Sequence, residues 1–234
     1  MGSENMNKRK IQMSESIELG IMLALAGGFM DAYSYICRGE VFANAQTGNM
    51  LLFGIHVSQG EWSSALRYLC PVVAFAAGIA ISDIVKFILL DYEKIHWRQL
   101  AVLFEAVILF AVSFMPQNIN LLANSLTSLA CGIQVESFRK IHGNGIATTM
   151  CIGNLRSGTQ NMCEYFHTKE GRFVRKGLLY YGIILCFVVG AVIGNICVKM
   201  VAESAIRIAS VFLFLVFCMM FIDREKEERQ HVRQ

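Results

Sequence analysis

The sequence predicts an all-α integral membrane protein with six transmembrane helices, arranged as two inverted three-helix repeats that each carry a short re-entrant or broken helical segment. Three observations predict this fold. The 234 residues are 55% hydrophobic, with a mean hydropathy of +0.47, and several apolar runs approach the roughly 20 residues that cross a bilayer core. A related glycine- and asparagine-containing stretch occurs in each half. Lysine and arginine are distributed unevenly among the predicted loops.

The first repeat, 17–116, is predicted to hold three full spans and one short segment. The full spans are expected at 17–37, 69–90 and 100–115. The tail at 1–16 is polar and basic, and the first span is longer than a signal-peptide core and lacks a convincing cleavage site, so we expect it to remain as an anchor. Residues 44–58 include only about a dozen moderately apolar residues, too few to span comfortably.

The second repeat, 117–222, has the same plan. Its full spans are expected at 121–138, 177–198 and 205–222, with a basic loop at 166–176 and a charged tail at 223–234. Its short segment, 143–158, contains Arg156, and a charged side chain on a lipid-facing crossing would be costly. The sequence therefore predicts a second segment that enters the membrane without crossing it.

The two halves match without a gap at an offset of about 105 residues. This superposition places Gly48 on Gly153, Asn49 on Asn154 and Asp31 on Glu136. Glycine permits tight turns and close approach of the backbone, and asparagine supplies both a donor and an acceptor. The repeated Gly-Asn pair therefore predicts a break in the helix at the same place in each half.

The distribution of basic residues predicts the orientation of the chain. If six spans cross and both short segments return to the side they entered from, one side of the membrane carries only Arg38, Arg67, Lys199 and Arg207. Eight crossings would largely remove this asymmetry. We therefore expect six crossings with both termini in the cytoplasm. A repeat with three crossings is odd, so the second copy must be inverted, and the two short segments should reach the midplane from opposite faces.

Asp31, Phe42 and the Thr47-Gly48-Asn49 motif, with Gly153-Asn154 in the second half, resemble the YoaK-like family of uncharacterised multi-pass bacterial membrane proteins. The family pattern has an acidic residue late in the first span, followed by a Ser/Thr-Gly-Asn motif. Ile152 stands where a second Ser or Thr would complete that motif in the second half. The resemblance covers nearly the whole chain, and it implies a membrane location without a known substrate.

The predicted site combines the two motifs with the ionisable residues near them. Its candidate substrate- or ion-binding residues are Thr47, Gly48, Asn49, Gly153, Asn154, Asp31, Glu136 and Arg156. A carboxylate within a span can bind and release a coupling ion. Alternatively, the asparagines only cap half-helices, the carboxylates only brace the re-entrant backbone, and Arg156 is an anchor at the cytoplasmic interface.

The leading functional hypothesis is a secondary transporter of a small solute, with possible proton or ion coupling, in the cell membrane. The alternatives are a passive channel and a non-transporting assembly or sensing subunit. We predict no enzyme, cofactor or metal site, because the sequence has no Ser/His/Asp set, no His-Glu-x-x-His and no Cys/His metal spacing. The expected partners are the lipid bilayer and a small solute or ion, with no nucleic acid. The sequence is compatible with a homo-oligomer.

Overall fold

The computed structural model describes residues 16–89, 97–141 and 143–231, with side chains described as far as Met220. The predicted tail at 1–16 lies outside the described residues except for Ser16. Eight helices form the described structure: α1 Ile17–Cys37, α2 Gln46–Ser58, α3 Trp62–Leu89, α4 Trp97–Val112, α5 Asn120–Ser137, α6 Cys151–Thr168, α7 Gly171–Val201 and α8 Ile206–His231. Short 3-10 turns at Gln117–Ile119 and Ala202–Ala205 join α4 to α5 and α7 to α8.

The helices of the first half lie close to the predicted segments. The Ser16 hydroxyl accepts a hydrogen bond from the Leu19 amide at 3.2 Å, which caps the start of α1. The short segment forms α2, a helix of 13 residues. By contrast, α3 begins earlier than the predicted span and reaches 28 residues, and α4 has 16 residues.

The second half differs from the prediction around its short segment. Lys140–Ile141 (β1) pairs with Asn144–Gly145 (β2) as a small antiparallel hairpin, which the all-α prediction did not include. Beyond it, α6 continues to Thr168, and the predicted basic loop at 166–176 shrinks to Lys169 and Glu170. Lys169 adopts a left-handed backbone with φ of 57° and ends the helix. At the end of the chain, α8 continues through most of the predicted charged tail.

Two helix pairs form the centre of the packing, α1 with α7 and α3 with α5. Glycines allow both pairs to approach closely. A Cβ atom on Gly28 would collide with the Phe187 carbonyl of α7, and one on Gly132 would collide with the Phe75 carbonyl of α3. Around these pairs, α2 packs on α3, α6 packs on α7, and α4 packs on both α5 and α8. Helix α1 also contacts α8, so α1 lies at the centre.

The apolar surface of the helices matches a lipid environment. Three helical segments among the described residues are long and apolar enough to cross a membrane: 17–37, 62–89 and 171–220, the last of which runs through α7 into α8. Large apolar side chains are exposed on the outward faces of α3 and α7, such as Phe87 at 80% and Leu185 at 63%. A soluble protein rarely exposes large contiguous apolar patches. In α5, Asn124, Thr127 and Gln134 are buried inside the protein, which explains its low apolarity.

Arg38, which the sequence placed in an outer loop, is buried and joins three elements at one end of the protein. The guanidinium is 1% exposed and donates to the Tyr33 hydroxyl at 2.7 Å and to the Met115 carbonyl at 2.8 Å. It also donates to the Asn120 side chain at 3.0 Å and to the carbonyls of Val112 and Pro116. Arg38 therefore ties the end of α1 to the last carbonyls of α4 and to the start of α5.

Candidate functional site

The loop that precedes each of the helices α2 and α6 is held by a buried asparagine of that helix. In α2, the Asn49 side chain accepts a hydrogen bond from the Phe42 amide at 3.0 Å and donates one to the Phe42 carbonyl at 2.7 Å. In α6, the Asn154 side chain makes the same pair of bonds with Ala147, at 3.3 and 2.6 Å. In both cases the loop residue lies seven positions before the asparagine. The two asparagines of the predicted motifs thus fix the backbone where the helix breaks.

We expect Asn154→Ala to destabilise the protein by on the order of 2 kcal/mol, because the partly buried amide and carbonyl of Ala147 lose their partner. Thermal unfolding of the detergent-purified protein measures this. The matched control is Asn161→Ala, since Asn161 is on the same helix and donates only to the Ser157 carbonyl of that helix. Equal stability of the two variants would show that the Asn154 bonds do not hold the loop.

The Asp31 carboxylate lies against the loop that leads into α2. It is 9% exposed and accepts a hydrogen bond from the Asn44 amide at 2.7 Å. One helical turn earlier on α1, the Gly27 carbonyl accepts a hydrogen bond from Nδ2 of Asn44 at 3.1 Å. Asp31 therefore lies beside the loop that leads into α2.

The loop that leads into α6 approaches the same part of α1. Nε2 of Gln134 in α5 donates to the Leu23 carbonyl of α1 at 3.2 Å and to the Thr148 hydroxyl at 3.0 Å. Beside it, the Thr149 side chain lies so close to Gly27 that a Cβ there would collide with its methyl group. The stretch of α1 from Leu23 to Asp31 therefore contacts both loops, one from each half of the chain.

Three buried oxygen atoms near this stretch of α1 have no hydrogen-bond partner among the described residues. They are Oδ1 of Asn44, Oε1 of Gln134 and Oγ1 of Thr149. All three residues are at most 3% exposed. An unpaired buried polar group costs roughly 1–3 kcal/mol, and most such groups in folded proteins are paired. Three such atoms along one stretch of α1, from Leu23 to Asp31, mark this place as the candidate site.

Several predicted site residues lie away from this stretch of α1, on the outer faces of α2 and α6. Thr47 is exposed on α2, while Gly48 is half-buried and contacts the Phe42 ring. Gly153 and Arg156 are exposed on α6. There they line a shallow surface hollow of about 580 Å³ that also includes Ile152, Leu155, Thr159, Gln160 and Cys163. The loops that precede the two motifs therefore both contact α1, while these motif residues lie on the outer faces of α2 and α6.

Glu136 does not share the position of Asp31, although the two align in the repeat. Its carboxylate pairs with the Arg139 guanidinium at 3.3 Å, three residues along the chain. The contact with the second loop is made by Gln134, one of the residues that the sequence analysis missed. A different carboxyl, Glu105 in α4, is fully buried, and neither of its oxygens has a partner among the described residues.

The other missed residues are Asn44, Thr148 and Thr149. All three belong to the stretches that the repeat identified, so the signal was present in their sequence neighbourhood. Gln134 could have been noted as an amide within an apolar span, because such a group needs an internal partner. The described residues contain no group of three or more His, Cys, Asp or Glu side chains that could hold a metal ion. Any cation here would rely on neutral oxygens and the single carboxylate of Asp31.

Helices with apolar outward faces around a buried polar centre are the features of a helical membrane protein. The protein belongs to the family described as Protein of unknown function (DUF1275), whose model matches residues 19–219. It is 27% identical over 184 residues to the UPF0700 transmembrane protein YoaK of Bacillus subtilis (strain 168), an alignment that covers 74% of this chain and 79% of that protein. These matches confirm the resemblance to the YoaK-like family. No solved structure matches the chain.

Proposed function

We propose that this protein is a secondary transporter of a small solute, coupled to an ion, in the cell membrane. The observation that carries the proposal is the meeting of two loops, one from each half, on the stretch of α1 from Leu23 to Asp31. Non-helical backbone at membrane depth is tolerated only where protein or a water-filled cavity surrounds it. Transporters place their substrate and ion sites at such breaks.

The depth of the two loops in the bilayer supports this function. Gly27 is the middle residue of α1, which runs from Ile17 to Cys37. If α1 crosses the bilayer, Gly27 lies near the midplane, about 15 Å from either end of the helix. Asn44 binds the Gly27 carbonyl, and Thr149 packs against the same residue. Both loops then reach the depth at which alternating access requires a central site.

The pattern of helix contacts supports two inverted repeats. Exchanging α1 with α5, α2 with α6, α3 with α7 and α4 with α8 converts the α1–α7 contact into the α5–α3 contact. The same exchange converts α2–α3 into α6–α7 and α4–α5 into α8–α1. The bonds of Asn49 to Phe42 and of Asn154 to Ala147 follow the same equivalence. Six crossings with both termini in the cytoplasm account for this arrangement and for the uneven distribution of lysine and arginine.

Burial of the polar centre favours alternating access over an open pore. Asn44, Asn49 and Gln134 are each at most 3% exposed, and Asp31 is 9% exposed. A conducting channel needs a continuous polar path, whereas a transporter can be closed on both sides of its site during its cycle.

The proposed topology predicts opposite labelling of two exposed positions in a cysteine-free background. We expect a cysteine at Asn118, in the turn between α4 and α5, to react with a membrane-impermeant maleimide on intact cells. A cysteine at Lys169, between α6 and α7, should react only after permeabilisation. Each position serves as the control for the other. The reverse pattern, or labelling of both from outside, would rule out the proposed topology.

Transport itself is tested in proteoliposomes by currents on a solid-supported membrane. The probes are acetate, succinate, glycine, glutamate and chloride, because α2 and α6 begin at the centre and helix N-termini favour negative groups. We expect at least one probe to give a flux that rises with an imposed sodium or proton gradient. The flux should stop when an ionophore dissipates that gradient. A flux that is independent of both gradients would indicate a channel. Absence of flux for every probe would overturn the transporter proposal.

A further inference from the structure

We propose that the candidate site binds a monovalent cation, for which Na⁺ is the probe, between Asp31 and the side-chain oxygens of Asn44, Gln134 and Thr149. This inference rests on the proposed function, and it names the coupling ion and its ligands. The four residues come from four different elements: α1, the loop before α2, α5 and the loop before α6. A cation held there would bind parts of both halves together.

The chemistry of the four groups fits a hard cation. Each presents oxygen, as a carboxylate, an amide carbonyl or a hydroxyl, and hard cations prefer oxygen ligands. The nitrogen ends of both amides are already used: Nδ2 of Asn44 donates to the Gly27 carbonyl, and Nε2 of Gln134 donates to the Leu23 carbonyl. These bonds fix the orientation of the amides, so that their oxygen ends are the free ends.

The charge of the site selects a monovalent ion over a divalent one. Asp31 is the only one of the four ligands that can carry a charge, so one positive charge gives a neutral site. A divalent ion would leave an uncompensated charge in a region of low dielectric constant, which is expensive. The N-terminus of α2, which begins beside the Asp31 carboxylate, adds positive partial charge, which weakens the binding of any cation and weakens that of a divalent ion most.

Two other groups bear on the test. Glu105 in α4 is fully buried and neither of its oxygens has a partner among the described residues, so it is an alternative carboxylate for a cation. Thr148 lies beside Thr149, but its hydroxyl already accepts a hydrogen bond from Gln134. The hydroxyl of Thr149 has no such bond, so its removal should leave the fold intact.

The test is the melting temperature of the detergent-purified full chain as NaCl replaces choline chloride or KCl at constant ionic strength. A ligand that binds only the folded state stabilises it in a saturable way. We expect the melting temperature to rise when Na⁺ replaces choline, and K⁺ to give a rise no larger than that of Na⁺. Thr149→Val should raise the half-saturating Na⁺ concentration about tenfold, and Asp31→Asn should remove the dependence.

Matched controls keep the result interpretable. Thr127→Val removes a buried hydroxyl that bonds only within α5, and Asp83→Asn removes an exposed carboxylate paired with Lys86. Both should keep the response of the unmodified protein, and so should Glu105→Gln. If K⁺ and choline stabilise as well as Na⁺ does, or if Thr149→Val and Asp31→Asn respond normally, the cation site is overturned.

The two proposals fail in different ways. Saturable stabilisation by Na⁺ without flux of any probe would support the cation site and contradict the transporter proposal. Flux driven by a proton gradient, with no stabilisation by Na⁺, would contradict the cation site and support the transporter proposal.

Discussion

Arg38→Met is expected to destabilise the protein by roughly 3–5 kcal/mol, because hydrogen bonds from a buried charged group are each worth more than ordinary ones. The Arg38 guanidinium bonds to the Tyr33 hydroxyl, to the Asn120 side chain and to three carbonyls around the end of α4. Methionine fills a similar volume and leaves these groups unpaired. In thermal unfolding of the detergent-purified protein, we expect the melting temperature to fall by on the order of 10 °C.

Two further variants separate the role of the guanidinium from that of charge. Arg38→Lys keeps the charge but cannot reproduce the planar fork of donors, so it should remain clearly less stable than the unmodified protein. Arg67→Met, at an exposed position on α3, should change stability by less than about 0.5 kcal/mol. If Arg38→Met were as stable as Arg67→Met, the buried bonds at this end of the protein would contribute nothing.

The sequence could place the first span but could not identify the role of the residue that follows it. Hydropathy predicted α1 at 17–37, because the apolar run is a local feature. Arg38 was assigned to an outer loop, since a basic residue after an apolar run normally lies in water. Apart from Tyr33, its partners lie at positions 112–120, 74 to 82 residues along the chain, and no local pattern encodes such contacts.

The second short segment shows a limit of a different kind. Its break was predicted from the Gly-Asn repeat, but the length of α6 was not. Residues 166–168 were assigned to a loop because the surrounding 166–176 stretch is basic. They are helical, and the helix ends only at the left-handed Lys169. A high density of charged residues indicates that a stretch is exposed to water. It does not distinguish a helix from a loop, because either can be exposed.

For the candidate site, the sequence indicated two stretches of the chain but not which of their side chains face inwards. The repeat identified the two stretches that meet on α1, and Asp31 was recognised as a charge within a span. The motif residues Thr47, Gly153 and Arg156 face outwards, while Asn44 and Thr149 face the centre. Which side of a short irregular loop faces inwards depends on its backbone conformation, and sequence periodicity gives no guide where there is no regular helix.

Gly190→Ala is expected to destabilise the protein by roughly 2–3 kcal/mol, although alanine favours a helix more than glycine does. A Cβ at Gly190 would collide with the Leu25 carbonyl of α1, and backbone cannot move aside as a flexible side chain can. The α1–α7 pair must then separate along its length, which weakens the contacts that hold the central stretch of α1. Thermal unfolding in detergent measures the loss.

Gly182→Ala is the matched control, because Gly182 lies on the same helix and a Cβ there would meet nothing within 4 Å. It should be neutral or slightly stabilising through helix propensity. Gly78 in α3 occupies the equivalent place against the Leu129 carbonyl of α5. If the halves are repeats with equivalent packing, Gly78→Ala should cost about as much as Gly190→Ala. A large difference in stability between these two variants would mean that the α3–α5 and α1–α7 pairs do not pack in equivalent ways. That result would contradict the inverted repeat.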